Sequence, residues 1–169
     1  VATGVDPVAM APADPRAGSR APRIVFVGRV SPEKGVHTLI EAMTEVVRRV
    51  PDAKLDVLGD RLQLSRSYLV DLSDDPHVRA LSRFYVGEDR SAYARILDDM
   101  VAKAGLARHV KFHDAVAYED VPDFYRDAAV VVRAARWQRC DQRLHCVDAP
   151  RLGGAVLLAP GRDLAFEVI

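Results

Sequence analysis

Apolar and polar positions along this chain fall into short blocks of alternating period. Residues 23–28, Arg-Ile-Val-Phe-Val-Gly, form an apolar run that ends on glycine, the pattern of a buried strand. Leu39, Ile40, Met43, Val46, Val47 and Val50 then recur at helical spacing across 36–50, and Pro51 follows as a stop. Residues 54–59, Lys-Leu-Asp-Val-Leu-Gly, predict a second strand, again closed by glycine. Ser91 is placed to cap a helix through about Lys103, with Tyr93, Ile96, Leu97, Met100 and Val101 on one side. A third strand is expected over 109–113, a short helix over 119–128 and a fourth strand over 129–133. Helical character near 144–152, a fifth strand over 154–159 and a last helix from about Asp163 complete the pattern. Two stretches do not fit it. Residues 7–22 hold four prolines and little periodicity, so 1–22 is taken as a lead-in or hinge. Residues 60–90 are polar, contain Asp74, Asp75 and Pro76, and carry no assignable period.

Strands that alternate with helices predict an α/β fold, a Rossmann-like three-layer α/β/α domain with a mainly parallel sheet, over 23–169. The unbroken apolar strands agree, because central parallel strands are covered on both faces. In such sheets ligands bind beyond the carboxyl ends of the strands. That rule puts Gly28-Arg29, Gly59-Asp60, the 113–117 turn and the segment after Arg133 on one rim.

Composition narrows the chemistry. Among 169 residues, 24 basic and 24 acidic side chains cancel, which argues against nucleic acid or an anionic membrane as the main partner. Cys140 and Cys146 fit no common zinc spacing and make no disulfide framework, so they are read as reduced. No apolar run reaches the length of a membrane span and no signal pattern opens the chain. A soluble cytoplasmic protein without membrane insertion is expected. The five histidines form no metal pair, and loop or surface placement is the default for each. The acids of 72–77, Leu-Ser-Asp-Asp-Pro-His, are read as a solvated turn, and no metal is expected.

The most informative stretch is 27–43, Val-Gly-Arg-Val-Ser-Pro-Glu-Lys-Gly-Val-His-Thr-Leu-Ile-Glu-Ala-Met. A strand ends in Gly-Arg, a short polar turn holds a lysine, and a long helix begins. This is either a tight strand-to-helix connection or an anion site. Gly28 lets the backbone turn at the strand end, Gly35 permits close approach, and a helix N-terminus favours an anion.

Together with Val-Lys-Phe-His-Asp-Ala-Val-Ala-Tyr-Glu-Asp-Val-Pro-Asp-Phe-Tyr-Arg-Asp-Ala-Ala-Val-Val-Val (110–132), this stretch resembles the C-terminal, donor-binding domain of retaining glycosyltransferases of the two-Rossmann-domain (GT-B) type. The opening Val-Ala-Thr-Gly-Val-Asp is similar to the segment with which that domain begins. The resemblance implies a nucleotide-diphosphate sugar as donor, no other cofactor, and an acceptor-binding N-terminal domain that this chain lacks. A hexose-type sugar would pass to an unnamed acceptor, and the chain alone would be inactive. It implies that Arg29 and Lys34 hold the diphosphate, with Gly28 beside them, and that the turn from His113 and Asp114 cups the nucleobase, largely through backbone groups. Residues 60–90 would be an insertion, since the family is usually shorter there.

The second half departs from the family's pattern. Two glutamates eight positions apart are usual, and the alignment puts Cys140 at the first and Asp148 at the second. Asp148 keeps a carboxylate for ribose hydroxyls. Arg143 stands within the family's Phe-Gly-Leu segment, followed by Leu144, where backbone amides touch the diphosphate. Glu167 aligns with a closing glutamate. A decayed site, an unusual donor and a misread segment from 138 onward all remain open. The main alternative function is therefore a non-catalytic nucleotide-sugar-binding or partner-binding domain. An unrelated doubly wound domain is a third reading, against which the missing G-x-G-x-x-G after the first strand counts.

Overall fold

The computed structural model describes residues 22–114, 116–117 and 119–132. Four parallel strands form its sheet in the order β3-β2-β1-β4: β1 (Arg23–Val27), β2 (Lys54–Leu58), β3 (Val110–His113) and β4 (Val130–Val132). Helix α1 (Val36–Arg49) joins β1 to β2, α4 (Ala92–Lys103) leads to β3, and α5 (Val121–Asp127) leads to β4. The Rossmann-like α/β architecture is thus present, with all four described strands parallel. The expected fifth strand, the helices near 144–152 and Asp163, and the 1–21 lead-in lie outside the described residues.

Alternation along each strand explains the three layers. Phe26 of β1, Leu55 and Val57 of β2 and Val110 of β3 point to one face, where Leu39, Ile40 and Met43 of α1 meet Tyr93, Leu97 and Val101 of α4. Val25 and Leu58 point to the other face and pack with Ala128, Phe124 and Tyr125 from the α5 side. The helical periods of α1 and α4 are therefore as expected, except that Val50 stands past the end of α1 and is 41% exposed.

Residues 60–90 fold as a set of short elements. Helices α2 (Arg66–Leu69) and α3 (Pro76–Arg79) precede a 3-10 turn over Ala80–Phe84. Asp75 caps α3, accepting from the His77 N–H at 2.8 Å, and Pro76 occupies its first turn. Leu69, Val70, Val78, Leu81 and Phe84 join the same core cluster as α1 and α4, so this segment extends the domain's main core.

The start of α4 differs from expectation. Ser91 has helical backbone angles and its hydroxyl caps nothing. Asp89 takes over, accepting from the Ser91 N–H at 2.8 Å and from the Ser91 hydroxyl at 2.7 Å.

Candidate functional site

The carboxyl rim is tied together by backbone hydrogen bonds between the ends of β1 and β2. Gly28 N–H donates to the Leu58 carbonyl at 2.9 Å, and Val30 N–H donates to the Asp60 carbonyl at 2.8 Å. Gly28 and Gly59 both have positive φ, +153° and +142°. Arg29 follows immediately and is exposed.

A 3-10 turn over Pro32–Lys34 carries the lysine, and Gly35, in the left-handed region at φ 69°, turns the chain into α1. The Lys34 N–H donates to Ser31 at 2.9 Å and Gly35 N–H to Pro32 at 3.1 Å. Ser31, Pro32 and Glu33 are buried, with the Ser31 hydroxyl on a Glu33 carboxylate oxygen, so the turn is anchored on its inner side. Lys34 is half-buried. Arg29 and Lys34 make no ion pair among the described residues, as is also true of Arg83, Arg90, Arg108, Lys54, Lys103 and Lys111, whereas Arg23, Arg48, Arg49, Arg61, Arg66, Arg79, Arg95 and Arg126 each meet a carboxylate. Arg29 thus stands just past the end of β1, and Lys34 in the turn just before a 14-residue helix, the end of a helix that favours an anion.

That helix start is not open on every side. Gly35 has no side chain to cap it, and the His37 N–H donates instead to the Tyr93 hydroxyl at 3.1 Å. The same hydroxyl lies 2.7 Å from His37 Nδ1. Phe84 packs on the pair, its ring centroid 4.4 Å from His37 and 5.2 Å from Tyr93. Burial pushes the Tyr93 phenol well above its usual range, with the Glu33 and Glu41 carboxylates adding to the effect. Tyr85 is pushed up to about 12, chiefly by burial and then by Glu33.

The histidine default fails at three positions. His37 and His109 are 2% and 3% exposed, and the His109 Nδ1 meets the Ala53 carbonyl at 2.9 Å. His113 is half-buried, its Nε2 2.7 Å from Asp56 Oδ1 and its ring 5.0 Å from that of Phe124. The side chain of His113 is thus turned into the sheet's α5 face; Asp114, the next residue, is exposed. Arg143, Leu144, Asp148, Cys140 and Glu167 lie outside the described residues. No cluster of three or more His, Cys, Asp or Glu suited to a metal occurs among the described residues. A cavity of about 280 Å³ opens within the 63–90 segment, between Gln63, Arg66, Tyr85 and Arg90, and none of the expected site residues lines it.

Sequence reasoning missed Asp56, Tyr93's hydroxyl contact and Phe84. A buried acid inside an apolar strand is the one signal that was visible, because a charge there requires a partner.

The family described as "Glycosyl transferases group 1" matches residues 11–140. The match thus takes in Arg29, Lys34, His113 and Asp114 and ends before Arg143 and Asp148. The chain is 25% identical over 122 residues to "Spore coat protein SA" of Bacillus subtilis, covering 72% of this chain and 26% of that protein. It is 27% identical over 114 residues to "Putative glycosyltransferase YtcC" of the same organism, covering 68% of this chain and 22% of that one. The aligned part is about a quarter of each relative's length. Among solved structures, the crystal structure of the "C-terminal Domain of Glycosyl Transferase Group 1 Family Protein (LpcC)" from Francisella tularensis has the same fold, with a TM-score of 0.55 at 22% identity over 80% of this chain and 60% of that one. The chain belongs to the group 1 glycosyltransferases.

Proposed function

We propose that this chain is the donor-binding half of a retaining, nucleotide-diphosphate-sugar-dependent glycosyltransferase that moves a hexose-type sugar. The observation that carries the reading is the pair Arg29 and Lys34, on the loop past the carboxyl end of β1, with no carboxylate partner among the described residues. Transfer from such a donor builds negative charge on the leaving diphosphate. Arg29 offers a rigid fork of N–H donors and Lys34 a compact ammonium, and fixed cations facing developing charge are a large source of catalysis. The nucleobase would lie over the 113–117 turn against backbone groups, since the His113 ring is engaged with Asp56. Asp148 would take the ribose hydroxyls, and Arg143 and Leu144 would border the diphosphate. An N-terminal domain would bring the acceptor, because orientation of both substrates across a closing cleft supplies much of the rate. On this reading 1–169 alone transfers little sugar. No described helix is long and apolar enough to cross a membrane, and a cytoplasmic enzyme drawing on cytoplasmic nucleotide sugars fits that.

Calorimetric titration with UDP, GDP and ADP tests the reading. One diphosphate should bind the wild type, and Arg29→Ala/Lys34→Ala should weaken it by about a hundredfold, the loss of two charge-assisted contacts. Absence of binding by all three would refute it.

One specific feature favours a second reading, a non-catalytic nucleotide-sugar-binding module: Cys140 stands where the resembled family usually has a glutamate. Cys140→Glu in the full-length protein separates the two. A large gain in turnover means a decayed site; no gain means a site that works without that carboxylate.

A further inference from the structure

We infer that Tyr93 is a positioning residue for the anion loop, and that residues 60–90 act through it to set how strongly the chain holds a diphosphate. The inference rests on the reading of residues 28–37 as a diphosphate site.

The geometry is specific. The His37 N–H can only donate, so the Tyr93 oxygen accepts it at 3.1 Å. The same oxygen lies 2.7 Å from Nδ1 of that histidine, within hydrogen-bond distance. One hydroxyl thereby holds both the backbone and the side chain of the second residue of α1. Helix starts are ordinarily capped by the residue just before them. Here that residue is Gly35, without a side chain, and the cap comes from Tyr93, 56 residues beyond His37.

Tyr93 itself is fully buried, and Phe84 wedges its ring against both Tyr93 and His37. The 3-10 turn that holds Phe84 also packs against the turn that carries Lys34. Leu69, Val70, Val78 and Leu81 anchor that segment in the main core. The anion loop is therefore pressed between the sheet and the segment 60–90. An unrestrained Gly35 hinge would let Lys34 sample many positions, and ordering it on binding would weaken the complex. Tyr93 meets that ordering cost in advance.

The test is Tyr93→Phe in the full chain, which keeps the ring in place and removes only the hydroxyl. Amide hydrogen exchange over 31–38 should speed up by about tenfold or more, as a local opening becomes easier. Calorimetry with UDP, GDP or ADP, whichever the wild type binds, and with the matching monophosphate should show the diphosphate-to-monophosphate affinity ratio falling by about tenfold. Phe84→Leu, which keeps apolar volume, should shift both readouts in the same direction and by less. Unchanged exchange over 31–38 in folded Tyr93→Phe overturns the inference, and so does faster exchange with an unchanged affinity ratio. If the wild type binds none of the three nucleotides, the diphosphate reading fails on that arm, and the positioning role toward a diphosphate is overturned with it whatever the exchange shows; binding by the wild type with no change in the variant overturns the positioning role alone.

Discussion

The carbonyl oxygen of Gly28 lies 2.2 Å from the point where a Cβ on Gly59 would stand. The two glycines close the first two strands, and the backbone of one occupies the side-chain space of the other. Gly59→Ala would force the Gly28–Arg29 peptide away while also straining a φ of +142°. We expect a loss of about 2 kcal/mol or more in urea unfolding and, on the proposed reading of this rim, weaker diphosphate binding. Gly105, at φ +67° with nothing within 4 Å, is the control: Gly105→Ala should cost about 1 kcal/mol and leave binding unchanged.

Asp56 gives a second prediction. Its side chain is 7% exposed, on the face where Val25, Leu58 and Ala128 pack, and its oxygens meet His113 Nε2 at 2.7 Å and Arg23 Nη1 at 3.4 Å. Removing the acid leaves the half-buried imidazole without its partner. Asp56→Ala should cost about 2–3 kcal/mol in urea unfolding. Asp114→Ala, exposed one residue beyond His113, should stay within about 0.5 kcal/mol.

Alkaline pH should destabilise the fold through its buried phenols. Tyr85 is raised from 10.0 to about 12 and Tyr93 is raised further, both mainly by burial. In the unfolded chain these phenols ionise near 10; in the folded chain they stay protonated. The folded state then binds more protons, so stability is full below pH 10 and falls as pH rises through 12. Urea midpoints measured from pH 8 to 12 should drop above pH 10, and Tyr85→Phe should flatten the drop.

The four described strands, α1, α4 and α5 were legible because each is carried by a local period, within two residues at every end. The loop from Gly28 to Gly35 was legible as a tight strand-to-helix connection because its glycines and polar residues sit together in sequence. What was hidden is what holds that loop. His37 and Tyr93 are 56 residues apart and meet only after the sheet brings α1 beside α4. Residues 60–90 showed no period because their helices are only four residues long, too short for a helical face to repeat. Their apolar side chains, Leu69, Val70, Val78, Leu81 and Phe84, are spread across turns and reach one core through the chain's path. His113 was misplaced at the surface for a related reason, since its partner Asp56 is on a neighbouring strand rather than nearby in sequence.

Asp89 shows how the charge pattern supports the same helix that carries Tyr93. Its carboxylate takes the Ser91 N–H and hydroxyl and pairs with Arg95, and these contacts, the Arg95 hydrogen bond first, hold it near 2 instead of 3.8. The sign follows from the lowered value: the contacts favour the folded state above pH 4, and the contribution fades as pH falls through 2. The carboxyl is exposed, so salt screens it and the effect on global unfolding is small. The local effect is the informative one. A carboxyl titration by NMR should put Asp89 near 2 in the wild type and clearly higher in Arg95→Gln, where only the serine contacts remain. Asp89→Ala should leave the first turn of α4 without its cap, and amide exchange at residues 92–95 should rise while that of Leu97 and Val101, deeper in the core, stays slow. Exchange that rose equally along all of α4 would mean that the helix opens as one unit, and Asp89 would then support Tyr93 rather than only the residues beside it.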